Sequence, residues 1–277
     1  MGLHKRQSVL GFIGEKFADF LVMVFVLLPI MLLILTSFKH ENEVYTTIFK
    51  FKPTLEAYRV VLSDDIGVIP AFFNSLIIAS VTALICIPIA LFSAFAFSRI
   101  KFKFSNAILT YIITCKFLPP VVMVIPYFMA MRALNLTDTH LGLILVNLST
   151  ALPYSIWLLQ GFVDALPPDI EEAAYIDGSS TVQTITRVTL PLVMPGVITS
   201  FVMIFIQCWN EFLFALVMTR KVAKPLSIVL QSTNTSNGLF FSWMSAVSVF
   251  VIIPVIFLSL PIKNYFINGM TEGGVKN

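Results

Sequence analysis

Six stretches of about twenty residues carry at most one charge each, the length needed to cross the hydrocarbon core of a bilayer. They run from Phe20 to Phe38, Phe73 to Phe97, Ser105 to Met131, Leu141 to Val163, Leu192 to Met218 and Trp243 to Ile262. The pattern predicts an all-α membrane protein with six transmembrane helices, and an even number puts both termini on one side. The first stretch follows His4, Lys5 and Arg6, as a signal peptide would. Its apolar part is too long for that role and no small-residue cleavage site follows, so it reads as the first span. Prolines at 88, 119, 120, 126, 153, 195 and 254 interrupt the stretches, and bundled membrane helices tolerate them because neighbours satisfy the freed carbonyls.

One polar segment is strongly patterned: residues 164–191, between the fourth and fifth spans, reading DALPPDIEEAAYIDGSSTVQTITRVTLP. Pro168 suits the first position of a helix, and Asp169, Glu171 and Glu172 crowd its first turn, where the helix dipole favours carboxylates. Gly178 stops that helix as a left-handed cap. Ser180 and Gln183 have the spacing of a capping box, and Val182, Ile185 and Val188 give a second helix an apolar face until Pro191 ends it. The expected unit is a helix, a glycine elbow and a second helix. Such a knob docks into a cleft or folds back on the membrane surface; it lacks the Lys and Arg excess that would hold a surface helix to anionic lipid.

Composition agrees with lipid as the solvent. Of 277 residues, 57% are hydrophobic and 12% charged, with a mean hydropathy of +0.90. The charged fraction is about half that of a soluble domain. The net charge of +3 is too balanced for a nucleic-acid footprint. Cys86, Cys115 and Cys208 lie far apart in apolar runs and read as packing residues. Arg99, Lys101 and Lys103 cluster after the second span with no acid nearby, whereas residues 39–72 mix both signs, which favours cytoplasmic N- and C-termini and a cytoplasmic knob.

Glu172-Ala173-Ala174, then Asp177-Gly178, then Leu190-Pro191 resemble the EAA loop of ATP-binding-cassette (ABC) importer permeases. Ser179 stands where that family usually has alanine, and Ile185 where its sugar-importing branch often has phenylalanine. The segments at 94–99 (AFAFSR), 131–143 (MRALNLTDTHLGL), 209–213 (WNEFL) and 268–276 (NGMTEGGVK) are similar to the smaller permease of maltose-type carbohydrate importers. The resemblance therefore covers nearly the whole chain and implies a single permease domain over residues 1–277. It implies that Glu172, Ala173, Ala174, Asp177 and Gly178 form a coupling knob against an ATPase subunit. It also implies that the tail at 267–277 reaches the ATPases through Thr271, Glu272, Gly273 and Gly274. The implied partners are a second homologous permease, two ATP-binding subunits and an extracytoplasmic solute-binding protein, in a bacterial-type inner membrane. ATP and Mg would sit on the ATPases, leaving no cofactor in this chain.

Two charges lie inside the spans, Lys116 and Glu211, and such groups are functional candidates because an unpaired charge in hydrocarbon is costly. Glu211 is either an architectural hydrogen-bonding group or a pathway contact, and Asn210 beside it is a pathway candidate by location alone; Lys116 either snorkels or pairs within the bundle, or serves the pathway. Asn74, Asn147, Gln160 and Gln207 are pathway candidates by location alone. The chain has no Gly-Lys-Ser or Gly-Lys-Thr of a phosphate-binding loop, no His-Glu-x-x-His and no paired catalytic groups, so no catalytic or metal-binding residue is expected. Three functions remain open on this reading: import of a sugar or oligosaccharide driven by ATP hydrolysis on partners, ABC import of another solute such as a glycerol phosphate ester, and ion-coupled secondary transport. The last would call for several buried acids and an inverted repeat, and neither is evident.

Overall fold

A computed structural model describes residues 9–45, 49–63, 65–100, 102–235 and 238–273; for residues 9–15, 234–235, 238–239 and 259–273 it describes the backbone only. Among the described residues, four helices are long and apolar enough to cross a membrane, covering Lys16–Ser37, Val68–Arg99, His140–Asp164 and Phe241–Leu258, or up to six spans if each of two bent helix pairs counts as one. The chain divides into two compact units.

One unit comprises residues 1–67 and 230–250. Its long helix α1 (Val9–Ser37) is exposed along most of its length, as an apolar helix facing lipid can be. After α1 the chain turns through Glu41–Glu43 into the short helix α2 (Glu56–Val61), where Tyr58 Oη lies 2.8 Å from Ser37 Oγ.

The other unit comprises residues 68–229 and 251–277 and is built around α3 (Val68–Arg99). At about 1.5 Å per residue, its 32 residues reach about 48 Å. Its buried face repeats small side chains every three or four positions: Ala71, Ser75, Ala79, Ala83, Cys86, Ala90 and Ala94. Lipid tails are as apolar as leucine, so helices in a membrane associate through close packing, which small residues permit. Against this face lies α6 (His140–Asp164), with Cys86 Sγ 3.6 Å from Ser155 Oγ, and α10 (Met194–Trp209) packs on both.

Two expected spans are broken. The third becomes α4 (Ser105–Thr114) with a 3-10 turn to Phe117, then α5 (Pro120–Ala133) at 98° to it. Leu118 and Pro119 are extended (ψ 125° and 127°), the conformation forced on a residue that precedes proline. Two consecutive prolines turn the expected kink into a corner. The fifth span, read as Leu192 to Met218, loses its ends: Val193 (ψ 12°) separates α10 from the preceding helical segment at 83°, and Asn210 ends it. The short helices α11 (Leu213–Met218) and α12 (Leu226–Ser232) follow, then residues 234–235 pair with 238–239, and α13 (Phe241–Gly273) closes the chain.

Candidate functional site

The segment 164–191 forms the expected elbow. Helix α7 (Asp169–Ile176) starts where the Pro168 carbonyl accepts from the N–H groups of Glu171 and Glu172, both at 3.0 Å. It ends in a Schellman motif: Gly178 N–H donates to the Tyr175 carbonyl and Ser179 N–H to the Ala174 carbonyl, each at 3.0 Å. Gly178 has φ +86°, a left-handed conformation that a side chain would strain even though nothing lies within 4 Å of where its Cβ would be. The capping box is complete, with Ser180 N–H donating to Gln183 Oε1 (2.8 Å) and Gln183 N–H to Ser180 Oγ (3.4 Å).

Beyond the cap the helix does not keep the expected face. After α8 (Thr181–Gln183), residues Thr184–Thr189 wind as a π-helix before α9 (Leu190–Leu192). In the wider π turn, residues five apart align, so Thr184 and Thr189 are buried together with Ile185. Val182 is exposed and Val188 half-buried; of the predicted stripe only Ile185 reaches the core, beside Ala94, Phe95, Val163 and Val193.

A charged node ties the elbow to the long helices. Arg99, the last residue of α3, pairs through Nε with Glu171 Oε2, and its Nη2 donates to the Val163 and Leu166 carbonyls at 2.8 Å each. Thr189 Oγ1 donates to Glu171 Oε1 at 3.1 Å. Glu171 is 3% exposed. The guanidinium thus closes the C-terminal end of α6 while holding the carboxylate of α7. Residue order gives Arg99 a charge and Glu171 a place in a first helical turn, but not their pairing; the one signal available is that Glu171 and Ala174, three apart, share the inner face of α7.

That face divides the predicted coupling residues. Glu172, Ala173, Asp177 and Gly178 are exposed, whereas Ala174 is buried. Small size at Ala174 lets α7 pack closely on its own chain. Around the tip Ile170, Tyr175 and Val182 are exposed apolar side chains, and Ile176 is 87% exposed. Of the predicted tail contacts, Thr271, Glu272 and Gly273 lie in the last turn of α13, described by backbone only, and Gly274 lies outside the described residues.

The charges in the spans have separate settings. Glu211 accepts from the N–H groups of Phe214 (2.6 Å) and Ala215 (3.0 Å), capping α11, while its carbonyl accepts from Ser227 Oγ at 2.7 Å. Asn210 is exposed, its amide turned back to the Ile206 carbonyl at 3.0 Å. Lys116 Nζ donates to the Thr150 carbonyl (2.8 Å) and to Gln207 Oε1 (3.3 Å). Asn74 bridges the Val222 and Lys224 carbonyls and His140 Nε2, Asn147 is buried in α6, and Gln160 Oε1 is buried without a partner among the described residues. No group of three or more His, Cys, Asp or Glu side chains suited to a metal occurs among the described residues.

At the opposite end of α6 from the node, another carboxylate fastens loops. Asp138 accepts from the N–H groups of Arg220, Lys221, Val222 and Ala223 at 2.9 to 3.2 Å. Partial burial pushes its pKa up, but the four amide donors outweigh that and hold it below the ordinary value. The sequence offered no sign of it, because every donor is main chain.

Residues 86–270 match the model of a family described as binding-protein-dependent transport system inner membrane component. The chain belongs to this family. This permease family member is 30% identical to the inner membrane ABC transporter permease protein YcjP of Escherichia coli (strain K12) over the full length of both chains. It is 32% identical to the trehalose/maltose transport system permease protein MalG of Thermococcus litoralis, covering 98% of this chain and 99% of that one. Its fold is that of a chain in the crystal structure of a bacterial ABC transporter involved in the import of the acidic polysaccharide alginate. The TM-score is 0.76 at 24% identity, over 96% of this chain and 100% of that one. The protein is thus an all-α permease component of an ABC transporter.

Proposed function

We propose that this permease moves a sugar or oligosaccharide inward, pairing with a second permease above two ATPase subunits and receiving solute from an extracytoplasmic binding protein. The likeness to the trehalose/maltose permease supports the carbohydrate class. Residues 164–191 are the coupling element, lying in the cytoplasm with both termini. ATP, with Mg, closes the ATPase dimer, the elbow moves with it, and the pathway between the permeases changes the side to which it opens; hydrolysis resets the cycle. Glu172, Ala173, Asp177 and Gly178 meet the ATPase, together with the apolar tip at Ile176, and Thr271 to Gly274 add a tail contact.

The observation that carries this reading is the construction of the elbow. Its outer face presents small, acidic and apolar groups, while its inner face is locked by Arg99, Glu171 and Thr189 to α3 and α6. A knob rigidly joined to two long helices converts a push at its tip into their displacement, which a loop resting on lipid would not do. The lysine-poor surface points the same way. Ion-coupled transport loses its main support, since the carboxylate of Glu211 is committed to two backbone amides.

The experiment is to tag the chain in its native membrane, purify it gently and identify its companions. A Walker-motif ATPase and a second permease with an EAA loop are expected, in a complex whose uptake needs ATP. A chain that purifies alone and transports without ATP contradicts the proposal.

A further inference from the structure

The corner between α4 and α5 leaves a cleft of about 390 Å³ beside Lys116, lined also by Tyr111, Tyr127, Ser149 and Thr150. We infer that this cleft binds an anionic group (carboxylate, sulfonate or phosphate) carried by the transported polyol, with Lys116 as its counter-ion. The inference rests on the importer reading above and names the class of solute.

The chemistry of the lining is mixed in a specific way. Lys116 is exposed in the middle of a stretch that otherwise carries no charge, and its two acceptors, the Thr150 carbonyl and Gln207 Oε1, are neutral. Gln207 Nε2 donates to Thr150 Oγ1 at 3.2 Å, which fixes the amide with its oxygen toward the ammonium. Among the described residues no carboxylate forms an ion pair with Lys116. An ammonium has three donors and no acceptor, so two neutral partners leave one donor and the whole charge unmatched. An ionisable group within a span is by default a functional candidate, and an anion entering the cleft would match this charge.

The other groups suit the remainder of such a solute. Tyr127 Oη lies 2.7 Å from Ser149 Oγ, which itself donates to the Val146 carbonyl, so the hydroxyls form a fixed row. The Tyr127 ring is held edge-on to Phe214 at 5.5 Å. Tyr111 lies exposed at the same cleft. Hydroxyls and rings are what a polyol needs, and the cleft falls in the roughly 300–1,000 Å³ range of small-molecule sites. A neutral sugar can accept a hydrogen bond from the ammonium but leaves its charge unmatched; an acidic one accepts the bond and matches the charge.

The test uses the complete complex in lipid nanodiscs and two probes, methyl β-D-glucuronide and methyl β-D-glucoside, which differ only in a carboxylate replacing a hydroxymethyl. Binding is followed by saturation-transfer NMR titration for wild type, Lys116→Met, Lys116→Gln and Lys116→Arg. Wild type should prefer the glucuronide at least tenfold, Lys116→Arg should keep the preference, and both neutral variants should lose it. Lys116→Gln retains a donor toward Thr150 and serves where the methionine variant fails to assemble. Equal binding of the two probes by wild type, or a preference that survives both neutral variants, overturns the inference. So does equal binding by wild type combined with loss of the second permease from the neutral variants, which would make Lys116 the partner of an acid on that subunit. Absence of ATPase and second permease from the wild-type preparation would instead defeat the importer reading.

Discussion

The two ends of α6 are each fastened by one carboxylate, and the two fastenings differ in kind. At the elbow, Glu171 is buried with a guanidinium and a hydroxyl, and at the other end Asp138 sits half-exposed in a ring of backbone amides. A buried ion pair resists partial loosening, because removing one partner strands the other charge away from water. A half-exposed carboxylate among amides lets go gradually, water replacing each donor. The elbow end is therefore built to move as one piece with α3 and α6, and the other end to hold loops that can be released.

The largest effect is expected at the node. Glu171→Ala strands Arg99 and should cost about 3 to 5 kcal/mol of local stability. Uptake should be lost and the elbow should become protease-sensitive in a complex that still assembles. Next comes Ile185→Ala, which empties a core position shared by the elbow and the long helices and should cost about 2 to 4 kcal/mol, read as a lowered thermal midpoint of the purified complex. Gly178→Val forces a β-branched residue into the left-handed region at a cost of about 1 to 2 kcal/mol. Because the space is open, assembly should survive while ATP hydrolysis runs without transport; unchanged uptake and ATPase stimulation would refute this.

The smallest effect belongs to Asp138. Its pKa is lower in the folded chain than in the unfolded one, so its contribution is complete above the ordinary carboxylate value, about 3.9, and disappears as pH falls through the depressed value. Asp138→Asn should lower stability at pH 7 by roughly 1 kcal/mol and flatten the acid limb of the thermal midpoint below about pH 4. An unchanged acid limb would mean that the latch contributes nothing. The same variant leaves the elbow node intact, so coupling should persist, which separates the two ends experimentally.

Much of this architecture was legible from residue order. The expected spans at 73–97 and 141–163 lie inside α3 and α6, and Gly178 and the Ser180–Gln183 box stand where local rules put them. These features depend on neighbours within one turn of helix. The corner at Leu118–Pro119 was visible only as prolines, since whether a proline kinks or breaks a span depends on what receives the freed groups. The π turn at Thr184–Thr189 defeated a period based on the α-helix, and Val182, just before it, is exposed. The Arg99–Glu171 pair joins residues 72 apart, and the Asp138 donors are backbone, so neither has a local spacing to read.

If the elbow couples as proposed, the outer face of α7 meets the ATPase while its inner face is held by the permease. Cysteines placed singly at Ala173 and Ala174, adjacent in the same helix but exposed and buried respectively, test it directly in a cysteine-free complex. A short heterobifunctional reagent, with a maleimide for the cysteine and a succinimidyl ester for lysine, should link position 173 to a lysine of the ATPase subunit and leave position 174 unlinked. Equal linking at both positions, or none at 173 in a complex that hydrolyses ATP and transports, would contradict the account.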